Sequence, residues 1–372
     1  MTFRTPIIRA AVTDTAASAA CAWVDVDLDA IVANARRVAQ ISASRLLPMV
    51  KANAYGLGAI AVARALGAVD PWGFGVATIE EGRELRNAGI SLPILVFTPL
   101  LPAWAPSMAA AQLTPVIGTV EGLDTWVSLG RDLPFHVGLD TGMNRAGAPV
   151  TDPELLIALR QRTAGVKGYQ GVCTHFHSAD TDPASVDRQW WAFRQAVDAL
   201  GPRPPLLHAA NSAAALMGTQ YGGDLVRPGI YLYGGRAGPG GADPAPVAHF
   251  QAAVVSVRTI SKGESVSYAG TWGASRLTRI ATVAAGYADG VALEFATSGR
   301  MAIRGRTMPV RGRVTMDMTM IEVPEDVVPG DVATIFGGPL PLVEQAGRAR
   351  TISYKLLTSL GRRVERRYRG TT

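Results

Sequence analysis

Through the first two-thirds of the chain, short apolar runs alternate with segments whose apolar residues recur at helical spacing. Runs at 46–50, 73–76, 93–97, 113–117, 135–139, 171–174, 205–208 and 225–230 read as eight strands. Between them, 59–66, 79–88, 121–129, 153–162, 185–200 and 212–217 suit helices. An earlier alternating stretch, 23–27, predicts a further strand, and the acidic residues at 27–29 open a helix over 28–41. Eight strand–helix units predict a (β/α)8 TIM-like barrel, which carries its chemistry at the C-terminal ends of the strands. Beyond about residue 246 the texture changes to short alternating runs at 252–260, 264–267, 280–285, 301–303, 314–323 and 331–335, separated by glycine-containing turns. These predict a C-terminal, mostly-β domain, in which Val314, Met316, Met318 and Met320 point one way and Thr315, Asp317 and Thr319 the other. The expected division is a flexible N-terminus at 1–22, a barrel at 23–240 and a β-domain at 241–372. Strand 23–27 is equally able to join the β-domain, and the glycine- and proline-rich stretch 234–246 is the joint.

The polar outliers fall at the predicted strand ends. Lys51 follows the first barrel strand, with the small residues Ala52, Ala54, Gly56 and Gly58 leaving space beside it. A lysine in a partly dry pocket has a lowered pKa and reacts with aldehydes, so a lysine tethering pyridoxal phosphate is the working expectation. Asp140 to Arg145 follow the fifth strand, His175 and His177 the sixth, His208, Asn211 and Ser212 the seventh, and Arg227 the eighth. Taken singly, Asp140, Asn211 and Ser212 read as helix caps or loop residues. It is the shared address that raises them. His175 and His177 share a strand face, but no third metal ligand stands at recognisable spacing.

At 372 residues, 48% hydrophobic and 18% charged, the chain has apolar material for a large core and about two domains. The net charge of +6 is scattered until the basic run 362–369, without the exposed aromatics that would make a nucleic-acid stripe, and suits anionic substrates or phosphate instead. Two cysteines exclude a disulfide scaffold and favour a reducing compartment. Residues 1–22 lack the apolar core of a secretion signal, and no run is long and apolar enough for a membrane span, so a cytoplasmic protein is expected.

The motifs Val-Lys-Ala-Asn-Ala-Tyr-Gly (50–56), Asp-Thr-Gly-Met-Asn-Arg (140–145), Thr-His-Phe (174–176), His-Ala-Ala-Asn-Ser (208–212), Arg-Pro-Gly-Ile (227–230), Val-Ser-Tyr (266–268), Gly-Tyr-Ala-Asp-Gly (286–290), Met-Asp (316–317) and Thr-Ile-Ser-Tyr (351–354) occur in one order. Together they resemble the alanine racemase family over residues 23–369. The resemblance implies a pyridoxal-phosphate enzyme interconverting L- and D-alanine, supplying D-alanine for peptidoglycan or degrading it, with Lys51 carrying the cofactor. It implies a head-to-tail homodimer in which Tyr268 reaches the neighbouring subunit's site as the second base. Arg227 would face the pyridine nitrogen, supported by His208, and His175 would bond the tyrosine. Tyr55, Asn211, Ser212, Gly229, Ile230 and Tyr354 would surround the cofactor. Arg145 and the Met316 amide would receive the substrate carboxylate, and Tyr287 would stand at the entrance or in the β-domain core.

Two positions depart from the family pattern. Gly138 stands where many members have a carbamylated lysine that orients the arginine, so a water, an anion or another residue must hold Arg145. Thr315 replaces a common cysteine. A racemase of serine, lysine or broad specificity shares both bases and stays open, as does a non-catalytic cofactor-carrying barrel, although such a protein would lack the β-domain. A decarboxylase of this barrel type needs a β-domain cysteine, and none follows Cys173.

Overall fold

The computed structural model describes residues 20–238 and 243–370. The expected N-terminal flexibility and the middle of the predicted joint therefore lie largely outside the described residues.

Parallel strands Phe74–Val76, Ile94–Val96, Thr114–Ile117, Phe135–Asp140, Tyr169–Cys173 and Leu206–His208 hydrogen-bond in that order. Leu225–Val226 pairs in parallel with Arg45–Leu46. The seam closes through single backbone bonds: Leu47 N–H to Val226 O (2.8 Å), Met49 N–H to Pro228 O (2.9 Å), Gly75 N–H to Pro48 O (2.9 Å) and Asp224 N–H to Leu207 O (2.8 Å). The result is an eight-stranded barrel with every strand running to the same rim. Its staves are apolar because both faces are covered: Phe74, Val76, Ile94, Val96, Phe135, Val137 and Val172 are all buried. The intervening helices fall where the periodicity puts them, as Ala59–Leu66, Ile79–Asn87, Val120–Leu129, Pro153–Thr163 and Pro183–Ala199. A short helix Ala105–Ala110 has no counterpart in the pattern, its six residues being too few to show a period.

The strand Ala22–Asp27 belongs to the second domain. It lies between Ala248–Ile260, antiparallel, and Glu365–Arg369, parallel. The basic tail is thus a sheet strand, with the Arg367 guanidinium over the Trp23 ring at 4.4 Å. Ala248–Ile260 also pairs with Val332–Phe336 and Thr278–Val283, and the latter pairs with Thr319–Glu322. The predicted strand over 314–323 is shorter than its alternation suggested. Thr315 N–H bonds Met318 O at 3.0 Å and Thr315 Oγ1 takes Met318 N–H at 3.1 Å, so 315–318 is a turn that leaves Met316 and Met318 exposed. Alternation cannot separate a strand from a tight turn when the turn is closed by a threonine hydroxyl.

Candidate active site

Lys51 leaves the first stave into a turn of unusual hand. Ala52, Asn53, Ala54 and Tyr55 have φ of 51, 55, 50 and 56°, four successive non-glycine residues in the left-handed region. Each such residue costs about 1–2 kcal/mol, so the turn must be held from outside. Thr78 and Glu81 form a capping box on helix Ile79–Asn87. The Glu81 carboxylate reaches beyond it, accepting Ala52 N–H at 2.6 Å with Oε1 and Ala77 N–H at 2.7 Å with Oε2. Asn53 Oδ1 takes Ala59 N–H at 2.8 Å, and Arg366 Nε donates to Gly56 O at 3.0 Å. Burial lowers the Lys51 amine pKa, the Arg145 and Arg227 charges lower it further, and Glu81 opposes them. A lowered pKa raises the fraction of free amine available to an aldehyde.

Tyr55, four residues on, is buried and stacks on Tyr233 (4.6 Å between centroids), with Tyr354 5.9 Å away. Burial raises the pKa of the Tyr55 hydroxyl well above its usual value and that of Tyr354 to about 12, so both are proton donors at neutral pH. Ser212 Oγ accepts Gly229 N–H at 2.8 Å and, weakly, Tyr231 N–H at 3.5 Å, tying the loops after the last two staves together. Gly229 N–H is therefore committed within the protein. The buried Ile230 N–H finds no acceptor among the described residues. Gly229 is needed for space, since a Cβ there would overlap the Tyr55 hydroxyl. Asn211 is a helix cap: its Oδ1 takes Ala214 N–H at 3.1 Å and its Nδ2 reaches Phe176 O at 3.4 Å.

Arg227 is the best-held charge in the barrel. Its Nη1 donates to His208 Nδ1 (2.8 Å) and His208 O (2.7 Å), and its Nη2 to Thr174 O (2.6 Å) and Ala209 O (2.9 Å), with His175 Nδ1 at 3.2 Å. Among the described residues no carboxylate touches it. The Nε–H is left without an acceptor among the described residues. Because a guanidinium only donates, His208 must be unprotonated at Nδ1. Its hydrogen then sits on Nε2 and points at His136 Nδ1, 2.8 Å away. His136 in turn carries its hydrogen on Nε2, which is buried without a partner. The same logic makes His175 an acceptor at Nδ1 and a donor at Nε2. Burial and then the Arg227 charge push His136 and His175 down to about 3, and His208 well below its usual value, so all three rings are neutral. Cys173, buried beside this cluster, is raised to about 11 by burial and stays a thiol.

A partly open cavity of about 140 Å³ adjoins this cluster, lined among others by Gly138, Arg145, Cys173, His175 and Arg227. A side chain at 138 would press on Val116, whose Cγ1 lies 2.8 Å from where its Cβ would sit. Among the described residues no side chain hydrogen-bonds the Arg145 guanidinium. The turn that carries Arg145 is shaped by Asp140 Oδ1, which accepts N–H of Gly142, Met143 and Asn144 at 2.8, 2.9 and 3.1 Å.

The barrel rim thus brings together Lys51, Tyr55, Arg145, His175, His208, Ser212, Arg227, Gly229 and Ile230, with Tyr354 against Tyr55. It does not bring in Tyr268, Met316 or Tyr287. Tyr268 is 71% exposed and lines a β-domain groove with Thr315 and Met318; Met316 and Tyr287 are exposed on adjoining turns. Those turns are held by Arg363, which bonds the buried Asp289 and Asp317 together. Sequence reasoning passed over His136, Glu81 and Gln189. Each had a signal: a histidine in an apolar stave, a glutamate closing a capping box, and a glutamine on the apolar stripe of its helix.

The residues present fit pyridoxal phosphate. Unsatisfied Ile230 N–H, the Tyr55 hydroxyl and Ser212 suit a phosphate, the orphaned Arg227 Nε–H suits a ring nitrogen, and the depressed Lys51 amine suits an aldehyde.

The family model "Alanine racemase, N-terminal domain" matches residues 26–237 and "Alanine racemase, C-terminal domain" residues 247–368. The chain is 38% identical over 351 residues to an alanine racemase of Acidiphilium cryptum, covering 92% of this chain and 97% of that one. It superposes with a TM-score of 0.86 at 28% identity on alanine racemase from Bartonella henselae with covalently bound pyridoxal phosphate, covering 94% and 100% of the two chains. For alanine racemase from Bacillus anthracis with bound L-Ala-P the TM-score is 0.85 at 30% identity, with coverage of 93% and 94%.

Proposed function

The chain belongs to the alanine racemase family and is a pyridoxal-phosphate-dependent racemase acting on alanine; on that premise we propose that Lys51 Nζ and the Tyr268 hydroxyl of a second copy move the α-proton on opposite faces of the substrate. Racemisation needs the proton to leave one face and return to the other, and one base per face is the simplest arrangement. The cofactor, when bound, supplies an electron sink for the carbanion left by proton removal. Arg227, His208, Tyr55, Ser212, Ile230 and Tyr354 would hold it. The single observation that carries the assignment is Arg227, a buried cation whose Nη1 and Nη2 hydrogens meet only neutral acceptors, with Nε–H spare.

Arg227 keeps its own charge, because every neighbour accepts and none competes for a proton. A cation at the ring nitrogen leaves that nitrogen unprotonated and so limits the lifetime of the carbanion, favouring reprotonation over side reactions. Arg145 receives the substrate carboxylate, and the Met316 amide of the second copy adds a donor. His175 presents Nε2–H outward, where it lowers the cost of a deprotonated Tyr268. The exposed Tyr268 and its separation from the barrel rim support a head-to-tail homodimer. No helix of the described residues is long and apolar enough to cross a membrane; with Cys21 and Cys173 both free, we place the enzyme in the cytoplasm, where D-alanine is made for peptidoglycan or removed.

The test is α-proton exchange in deuterated water, starting separately from L-alanine, D-alanine and L-serine. Deuterated alanine of both hands from either alanine start is the expected result. Cofactor absorbance without exchange would refute the two-base assignment, and faster serine turnover would refute alanine as the preferred substrate.

A further inference from the structure

Gln189 lies on helix Pro183–Ala199, whose buried face runs Ser185, Val186, Gln189, Phe193, Ala196 and Val197. A glutamine is an expensive choice at such a place unless all its polar groups are used. Here they are. Gln189 Oε1 accepts His177 N–H at 3.0 Å, and Nε2 donates to Thr141 Oγ1 at 3.0 Å and to His175 O at 3.1 Å. Thr141 Oγ1 also bonds Thr174 Oγ1 at 2.8 Å, and Thr174 O receives Arg227 Nη2.

We infer that Gln189 is a positioning residue that sets the substrate-carboxylate arginine, Arg145, by pinning its turn to the His175 segment; this rests on the racemase reading above. Asp140 gives the turn its shape but belongs to the same segment, so it cannot fix where the turn sits on the barrel. Arg145 has no side-chain partner among the described residues, and Gly138 offers none. Its placement therefore depends on the backbone, and two side chains from outside the turn hydrogen-bond it at Thr141, Thr174 from the neighbouring stave and Gln189 from the helix that covers it. The amide is planar, with donor and acceptor in fixed relation. A shift of the Thr141 turn against His175–His177 must break one of its bonds.

The experiment compares holoenzyme carrying Gln189→Met, which keeps volume and helix propensity, Thr141→Val, and both together. The measurements are kcat and KM in each direction, cofactor absorbance, and calorimetric binding of propionate, which has the carboxylate of alanine without its amine. Loss of one neutral hydrogen bond corresponds to about a fivefold effect. Each single variant is expected to raise KM and weaken propionate about 5- to 20-fold, with kcat changed less than threefold and absorbance retained. The double variant should fall clearly short of the product of the two singles, because the Gln189–Thr141 bond is lost in both. Multiplied effects in the double variant, or propionate binding within twofold of wild type in Thr141→Val, would overturn the inference. If Gln189→Met does not fold, Thr141→Val set beside Thr174→Val, which removes the threonine pair and leaves the Gln189 bond, decides it: equal weakening of propionate in the two would overturn the inference. Absence of racemisation in wild type with propionate still bound tightly would instead count against the racemase reading.

Discussion

Lowering the pH from 7 to 5 should destabilise this protein severely, because three histidines are locked neutral around one arginine. His136, His175 and His208 each have a folded pKa depressed by burial and by Arg227, to about 3 for the first two. In the unfolded chain each titrates near 6.5. A depressed folded pKa means the unfolded state binds the extra proton, so the stability is fully present above 6.5 and is lost as pH falls toward the folded value. Integrating one such site from pH 7 to 5 gives about 2 kcal/mol, hence about 4 kcal/mol for His136 and His175 together, with His208 acting in the same direction, against total stabilities of about 5–15 kcal/mol for typical domains. The assay is the denaturant midpoint of holoenzyme at pH 7, 6 and 5, set beside His136→Asn. The asparagine amide can replace His136 in facing His208 Nε2 only through its oxygen, which preserves the hydrogen bond and removes the titration. Contributions from carboxylates and cofactor are common to both proteins and cancel in the difference. The variant should lose about 2 kcal/mol less than wild type over this range. Identical acid dependence in the two proteins would show that His136 is not held neutral and would refute the tautomer chain running from Arg227.

Glu81→Gln replaces one carboxylate oxygen by an amide NH2, a donor that opposes the N–H of Ala52 or Ala77. A loss of about 1.5–3 kcal/mol in unfolding free energy is expected, together with a further fall in the Lys51 amine pKa, read from the pH dependence of its acylation in apoprotein; an unchanged amine pKa would contradict the role of Glu81. Gly229→Ala pushes the Tyr55 hydroxyl aside, and absorbance titration of apoprotein should show cofactor affinity about tenfold lower, the equivalent of about 1.4 kcal/mol; unchanged affinity would remove Tyr55 from the phosphate site. Tyr268→Ala should cripple proton removal from L-alanine while keeping cofactor absorbance, whereas Lys51→Ala abolishes the bound-cofactor absorbance. Full racemase rate in a dilute monomer would exclude a shared site.

Periodicity along the chain was enough for the barrel, since a stave covered on both faces must be a short continuous apolar run and its helices must show a stripe. The residues at the stave ends were legible for the same reason: a barrel delivers all eight C-terminal ends to one rim, so Lys51, Arg145, His175, His208 and Arg227 share an address whatever their side chains do. Motif order supplied the roles proposed for these residues, including that of Tyr268 as the second base.

Three matters were decided only by tertiary structure. Strand Ala22–Asp27 joined the β-domain because its partners, Ala248–Ile260 and Glu365–Arg369, lie more than 200 residues away; alternation identifies a strand and cannot identify its neighbour. The left-handed turn after Lys51 runs through two alanines and a tyrosine that disfavour such a backbone, and it is held by Glu81 and Arg366 from distant parts of the chain together with the bond from Ala59 to Asn53 within the loop. The protonation of the histidines follows from a donor-only guanidinium placed against His208, a relation that exists only once the last two staves lie side by side.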